Sequence, residues 1–297
     1  MWKQLSNILA MILGTIFLLP MAHSQASESL SGMLKQSCQD GKYQPTDSFE
    51  LAQVEALFGL TLQNPGNQQL IKDWQTIGFD MFQHTESGNT FVILREQSTR
   101  REGRGFYAIR TGKTDKLLLQ APHSFKDERT GEIVVNLMLK SKFTAAAWNT
   151  VPRYYAESGR KIDADMAHLD QTYFLAFSRA FAQQYKGAPV MQVHGFAQKK
   201  RRSGSGKNAD MVISSGTSNP TATVLNMAAC FKNQLTPNAF VYPSEVRELG
   251  GTTNSIGNAL RQLGNAGFVH IEMSAELRQQ AIEDPAFTDR FLGCLAK

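Results

Sequence analysis

Cysteine is scarce and scattered: Cys38, Cys230 and Cys294 are the only three in 297 residues. Thiolate zinc sites use close C-x-x-C-like pairs, so this spacing excludes one, and any metal must be held by imidazole and carboxylate. Three cysteines allow at most one internal disulfide and leave one thiol over, and the sequence does not choose the pairing. No Pro-rich linker and no internal repeat break the chain, which favours one large domain. Beyond the first 26 residues no apolar run approaches the roughly 20 that a bilayer span needs. Charge is only mildly unbalanced, at +5. Part of it sits in QKKRRSGSGKNAD, where Lys199, Lys200, Arg201, Arg202 and Lys207 stand without interleaved aromatics. Nucleic acid is therefore not an expected partner. The stretch reads as a solvated loop, or as a docking patch for an acidic polymer.

The N-terminus has what the rest lacks. Lys3 precedes an apolar run from Ile8 to Leu19, then Pro20 and small residues, which is the pattern of a signal peptide. Cleavage after Ala26, or after Ser24, would export the chain to the periplasm or the medium, with no stable membrane insertion afterwards. The three domain-level expectations are a signal peptide over 1–26, a mostly helical polar lead-in over 27–90 and a hydrolase domain over 91–297.

Within the lead-in, ELAQVEALFGL and LIKDWQTIGFDMFQH carry apolar residues at spacings of three and four, which predicts helices. TFVILREQ, GRGFYAIR and KLLLQAPHS read as strands, the last ending at Pro122. GEIVVNLMLKSK, capped by Thr130, reads as a helix, as does the stretch from Asp170 to Gly187. The strands VMQVHGF, DMVISSG, NAFVYP and GFVHIEMS then alternate with helices around TATVLNMAACFKNQL, begun by Ser218, Asn219 and Pro220, and around SIGNALRQLG. Such alternation predicts an α/β fold with a mixed, largely parallel sheet and helices on both faces. In open sheets of this kind the ligand site lies beyond the carboxyl ends of the strands.

Two of the six histidines fall there. His123 ends KLLLQAPHS and His194 ends VMQVHG. Glu128 lies five residues beyond His123, on a turn that can fold back, so two imidazoles and a carboxylate could share one zinc ion. Asp127 is the rival for the carboxylate position, and spacing alone does not choose. Both acids also fit a plainer role at the start of the following helix, against its positive end. Glu272 is the oddest residue: a carboxylate in the apolar strand GFVHIEMS, where burial is costly unless a partner or a functional cavity receives it. His270 shares its face by strand alternation and could hold it or a ligand in place. His168 reads first as local capping or packing and second as an outer partner of a ligand. Arg278 is a surface arginine or a fork for a substrate carboxylate. His84 ends an apparently amphipathic helix and is expected in solvent, and His23 leaves with the signal peptide. Ser214 and Ser215 in VISSGT lack the G-x-S-x-G elbow of a serine nucleophile.

HSFKDERTGEI resembles the H-x-x-x-x-E metal motif of phage-type poly-γ-glutamate hydrolases, and GFVHIEMSAELR resembles their late glutamate-containing segment. These enzymes are similar to zinc carboxypeptidases and, more distantly, to N-formylglutamate amidohydrolases. The resemblance covers roughly residues 90–280. It implies a carboxypeptidase-like core in which His123, Glu128 and His194 bind zinc and Glu272 is the acid/base. The sequence departs from the pattern where Ser124, Phe125 and Lys126 replace a glycine-rich turn, and where the basic stretch follows His194. The expected function is hydrolysis of an amide bond in an acidic small molecule or polymer, γ-glutamyl or N-acyl amino acid in type, by metal-activated water. The alternative is an envelope protein that binds an anionic polymer on the same scaffold without catalysis.

Overall fold

A computed structural model describes residues 28–38, 42–124 and 126–295. The expected signal peptide over 1–26, His23 included, lies outside the described residues. Three helices come first, α1 (Leu30–Ser37), α2 (Ser48–Gln63) and α3 (Leu70–Thr76). Four strands follow, β1 (Phe79–Glu86), β2 (Asn89–Glu96), β3 (Phe106–Arg110) and β4 (Asp115–Ala121). Helix α4 (Thr130–Lys140) leads to β5 (Phe143–Trp148), the short strands β6 (Tyr154–Glu157) and β7 (Arg160–Asp163), and α5 (Tyr173–Gln184). After β8 (Val190–Gly195) come the short α6 (Gly204–Asn208), β9 (Met211–Ser214), α7 (Ala222–Gln234) and β10 (Ala239–Val241). The chain closes with α8 (Ser255–Gln262), β11 (Phe268–Met273), α9 (Ala275–Glu283) and α10 (Pro285–Leu295).

Nine strands form one sheet in the order β1-β2-β3-β5-β4-β8-β11-β9-β10. The fold is α/β with a mixed sheet. Its centre, β5-β4-β8-β11, is parallel, while β1, β2 and β3 extend it by antiparallel pairing and β9 runs antiparallel to β11. Helices cover both faces. One apolar layer joins α1, α4, α7, α9 and α10 through residues such as Leu34, Val134, Phe231, Leu277 and Phe291. The opposite layer joins α2, α3, α5 and α8 through Phe58, Trp74, Phe177 and Leu260.

The early residues are part of this body. Helix α2 packs on α5, and β1 pairs along its length with β2. The helix expected over LIKDWQTIGFDMFQH ends at Thr76, and FDMFQH is strand β1 instead. Gly78, at φ 84°, separates the two: only glycine takes that conformation cheaply, and it stops a helix where the apolar spacing of three to four continues in the sequence. His84 consequently sits buried on β1, with Nε2 3.2 Å from Glu86 Oε2, and not in solvent. A second correction concerns Thr130. Its hydroxyl donates to the Asp127 carbonyl at 2.8 Å, and the residue preceding α4 is Arg129, in the left-handed region at φ 70°. The helix over TATVLNMAACFKNQ is capped by Thr221, whose side chain accepts from Val224 N, and not by the residues before it.

Cys230 on α7 and Cys294 on α10 form a disulfide, with Cα atoms 5.5 Å apart and 64 residues between them in sequence. Cys38 is the remaining thiol; burial pushes its pKa up to about 12, against a smaller opposing effect of Arg101. A bridge closing a loop of that length stabilises a fold by about 4 kcal/mol in the chain-entropy account. Replacing both cysteines by alanine should therefore lower the unfolding free energy by about 2–5 kcal/mol in a denaturant titration. Equal stability of the variant and the oxidised parent would contradict the assignment.

Candidate metal centre

The parallel strands β4, β8 and β11 deliver their carboxyl ends to one place. Gln192 and His194 lie two apart on β8, His270 and Glu272 two apart on β11, and the register pairs His270 with Gln192 and Glu272 with His194. Alternation puts all four on one face of the sheet, while Met191, Val193, Val269 and Ile271 face the opposite apolar layer. Gln120 on β4 extends the polar row through its pairing with Gln192. His123 stands two residues beyond β4. Gln120, His123, Gln192, His194, His270 and Glu272 are all buried.

The turn after β4 decides which acid joins them. Asp127 N donates to the His123 carbonyl at 2.9 Å, one helical turn that sets positions 123 and 127 on the same side. One residue further along, a side chain is rotated by about 100°. Asp127 Oδ2 accordingly lies 3.1 Å from His123 Nδ1 and 3.6 Å from His194 Nδ1, and the two Nδ1 atoms are 3.3 Å apart. Glu128, the carboxylate singled out from the sequence, is not part of this cluster; it lines the cavity, and its backbone carbonyl accepts from Arg278 Nε at 2.7 Å.

Among the described residues two groups could hold a metal ion, His123 with Asp127 and His194, and His194 with His270 and Glu272. His194 is common to both. Its Nε2 lies 3.1 Å from Gln192 Oε1, which leaves Nδ1 as the atom for an ion, and Nδ1 faces the first group. Bonds of roughly 2.0–2.1 Å to a tetrahedral ion place ligand atoms about 3.3 Å apart, the spacing of these three atoms. The residues fit a cation, and the orphaned atoms nearby agree. His270 Nδ1 and Glu272 Oε2 are buried with no hydrogen-bond partner, a costly arrangement outside a functional site.

Each imidazole of the first group is held from behind. Asp165 Oδ1 lies 2.8 Å from His123 Nε2. The other carboxylate oxygen of Asp165 takes Arg153 Nη2 at 2.5 Å and the Tyr154 hydroxyl at 3.2 Å, while Ala167 N donates to Oδ1 at 3.1 Å. Asp127 Oδ2 also accepts from Gly195 N at 3.1 Å. A Cβ at Gly195 would meet the Arg278 guanidinium, so a larger residue there would displace that side chain. Arg278 itself is buried and bound to the Glu128 and Met273 carbonyls, at 2.7 and 2.5 Å, along the cavity wall. His168 is on the rim, with Nδ1 3.1 Å from the Thr253 carbonyl and Nε2 3.9 Å from Asp165, too far for a hydrogen bond. The hydroxyls of Ser214 and Ser215 donate to the Gly250 and Asn219 carbonyls.

The electrostatics separate the ionisable groups. Burial alone would lower the His123 pKa, but Asp127 and Asp165 overcome it and raise it to about 9. Burial also opposes ionisation of both acids; the hydrogen bond and charge of His123 nonetheless hold Asp127 well below the usual carboxylate range, and His123 and Arg153 lower Asp165 to about 2. His194 is pushed down to about 4 by burial, with the His123 charge adding to it, and burial also drives His270 well below its ordinary value. Glu272 is raised to about 8, first by burial and then by Asp127. The cavity measures about 780 Å³ and is also lined by Lys126, Arg153, Lys200 and Arg201.

Sequence reasoning missed Asp165, Arg153, Gln120, Gln192 and Asn254. The two glutamines carried the signal that marked Glu272, a polar group in an apolar strand. Asp165 stands in an irregular loop where no period points inward.

No family model matches the chain, and no curated protein matches it. Among solved structures it is similar to a zinc-free apo form of YndL, at 15% identity over 64% of this chain and 87% of that one, with a TM-score of 0.40. It is also similar to a candidate metallopeptidase from Shewanella amazonensis, at 8% identity over 86% and 99% of the two chains, with a TM-score of 0.36. A candidate carboxypeptidase from Burkholderia mallei gives 9% identity over 77% and 67%, with a TM-score of 0.41. Likenesses this distant carry no assignment of function.

In metal-stripped protein, Asp165→Asn should lower the pKa of His123 from about 9, as read by an NMR pH titration of its ring. The sign for stability follows. The folded pKa lies above the ordinary 6.5, so the stabilisation is complete below about 6.5 and fades as pH rises through about 9. Asp165→Asn should flatten that slope. An unmoved titration would remove Asp165 from the role.

Proposed function

We propose that the chain is a zinc-dependent hydrolase that cleaves an amide bond in an anionic substrate, γ-glutamyl or N-acyl amino acid in type. The observation that carries this reading is the trio of His123 Nδ1, Asp127 Oδ2 and His194 Nδ1, mutually 3.1–3.6 Å apart at the carboxyl ends of the parallel strands. Two imidazoles and one carboxylate are a donor set that zinc accepts, and three protein ligands are the number of a catalytic rather than a structural site. A zinc ion held by His123, Asp127 and His194 would supply a Lewis acid able to acidify water and polarise a carbonyl.

The remaining steps belong to the chain's own side chains. Glu272, with one carboxyl oxygen unpartnered and its pKa raised to about 8, takes a proton from water and returns it to the leaving amine. A pKa near the working pH suits a group that must both accept and donate. Lys126, Arg153, Lys200, Arg201 and Arg278 give the cavity wall a cationic character against three acids, Asp127, Glu128 and Glu272, which favours a substrate bearing carboxylates. Lys200 and Arg201 also line an adjoining cavity of about 470 Å³ with Arg202 and Arg247. The basic stretch there is an ordered wall, stapled by Glu248, which accepts from the Ser203 hydroxyl at 2.6 Å and from Ser203 N at 2.9 Å. An anionic chain extending from the scissile bond would continue along it. Export by the N-terminal segment belongs to the same reading, and the Cys230–Cys294 disulfide supports an oxidising compartment.

Metal analysis and zinc titration against a competing chelator test the proposal. Asp127→Asn and His194→Ala should each weaken zinc by more than roughly 100-fold, beyond the cost of losing an outer hydrogen bond, whereas Glu128→Gln should not. Glu272→Gln should keep the metal and lower turnover of a γ-glutamyl or N-acyl amino acid amide by roughly 10²–10⁴-fold. A protein that binds no metal overturns the reading. Salt-sensitive binding of an anionic polymer, unchanged in Glu272→Gln and without chelator-sensitive turnover, would establish the non-catalytic alternative instead.

A further inference from the structure

Three buried amides lie beneath the cluster, and hydrolysis as described above uses none of them. Asn254 caps α8: its Oδ1 accepts from Ile256 N at 3.0 Å and Gly257 N at 3.1 Å. Backbone N–H groups only donate, so the oxygen of Asn254 must face the helix, and its amide nitrogen must face away. That nitrogen donates to Gln192 Oε1 at 2.7 Å. The orientation of Gln192 is thereby fixed as well, with its nitrogen turned to Gln120 Oε1 at 3.0 Å. Gln120 in turn donates to Ser178 Oγ at 2.8 Å, and Ser178 donates to the Phe174 carbonyl on α5 at 2.8 Å. Every bond in the row has one sense, and the helix cap sets it.

The consequence reaches the candidate metal ligand. Gln192 Oε1 is an acceptor without a proton, and His194 Nε2 lies 3.1 Å from it. That contact is a hydrogen bond only if Nε2 carries the proton. Neutral imidazole carries one proton, so Nδ1 is then the bare nitrogen, and Nδ1 is the atom that faces His123 and Asp127. The opposite tautomer would set two lone pairs against each other at Gln192 and a proton where an ion must bind.

We propose that Asn254 is a positioning residue: through Gln192 it dictates which nitrogen of His194 is protonated, so that a helix cap on α8 presets the ligand atom on β8. The tautomer part stands on the hydrogen-bond geometry alone, and its effect on metal affinity rests on the function proposed above. Asn254→Asp separates the two duties of the residue. An aspartate still caps α8, but it cannot donate. Gln192 then turns its nitrogen toward the carboxylate, an N–H meets His194 Nε2, and the imidazole proton moves to Nδ1. Gln192→Glu is the conservative control, because a carboxylate still accepts from both Asn254 and His194, while Gln120 and the rotatable Ser178 hydroxyl reverse their bond.

The test is long-range ¹H–¹⁵N NMR of histidine-labelled, metal-stripped protein at a pH where His194 is neutral, together with zinc affinity by chelator competition. The wild type should show a protonated Nε2 and a bare Nδ1 at His194. Asn254→Asp should exchange the two and weaken zinc by roughly 10–100-fold. Gln192→Glu should keep the protonated Nε2 and bare Nδ1 of the wild type at His194. Should Asn254→Asp fail to fold, Gln192→Met removes the acceptor, and the two nitrogen signals should then move to intermediate, averaged positions. A protonated Nδ1 in the wild type overturns the proposal, as does a wild-type pattern in Asn254→Asp or in Gln192→Met. The expected NMR pattern in a protein that binds no zinc would sink the hydrolase reading alone and leave the role of Asn254 standing.

Discussion

Burying polar groups at the end of a sheet is costly unless each finds a partner, and that constraint organises this molecule. The carboxyl ends of β4, β8 and β11 carry Gln120, His194, His270 and Glu272 into a region with almost no solvent. The chain meets the cost with amides, a helix cap, a serine and the Asp165 carboxylate, each in hydrogen-bond range. Where it does not, at His270 Nδ1 and Glu272 Oε2, the lack of partners sits beside three converging donor atoms. Satisfied and unsatisfied groups thus divide the site into a scaffold and the part left for chemistry.

That division explains how ionisation is arranged. His123 and Asp127 form a charged pair, with His123 raised to about 9 by two carboxylates in spite of its burial. His194, a few ångströms away, is pushed down to about 4, first by burial and then by that same charge. A cation entering the trio would take the place of the His123 proton between the same atoms, so the acidic environment that now holds a proton is the one that would hold a metal. Glu272 stands on the other side of His194 and keeps its proton to about 8 because burial and Asp127 both disfavour a second anion. Groups with such separated proton affinities within one cavity are the raw material of acid–base catalysis.

Much of this was legible in the residues. The strands that carry His194 and Glu272, and the one that ends just before His123, end in the sequence where they end in space, because β-branched and apolar runs bounded by proline, glycine and serine leave little choice. The early segment was harder. FDMFQH keeps helical spacing by accident, and only Gly78 betrays the change of period. The choice between Asp127 and Glu128 was closed to spacing, since it depends on one backbone hydrogen bond to the His123 carbonyl. Asp165 and Asn254 act through contacts 42 and 62 residues distant in the chain, which no local pattern encodes. Gln120 and Gln192 were different: a polar side chain in an apolar strand is the same anomaly that singled out Glu272.

The two apolar layers have a part in the chemistry beyond holding the sheet together. One of them includes α5 and α8, packed through Phe177, Phe181, Ile256 and Leu260. These helices carry the two ends of the amide row, Ser178 and the Asn254 cap. Helix α2 braces α5 from outside through Phe58 against Phe177 and through Glu55, which accepts from Arg179 at 2.8 Å. Helix α2 is therefore linked to His194 by a chain of four contacts, Phe58–Phe177, Ser178–Gln120, Gln120–Gln192 and Gln192–His194, although it lines no part of the cavity. Close-packed interiors move little in response to small perturbations, so the precision of the donor atoms at the sheet's end is inherited from that packing. A site assembled from strand ends alone would have the right residues; the hydrogen bonds from the helices behind the sheet orient Gln192 and, through it, the ring of His194.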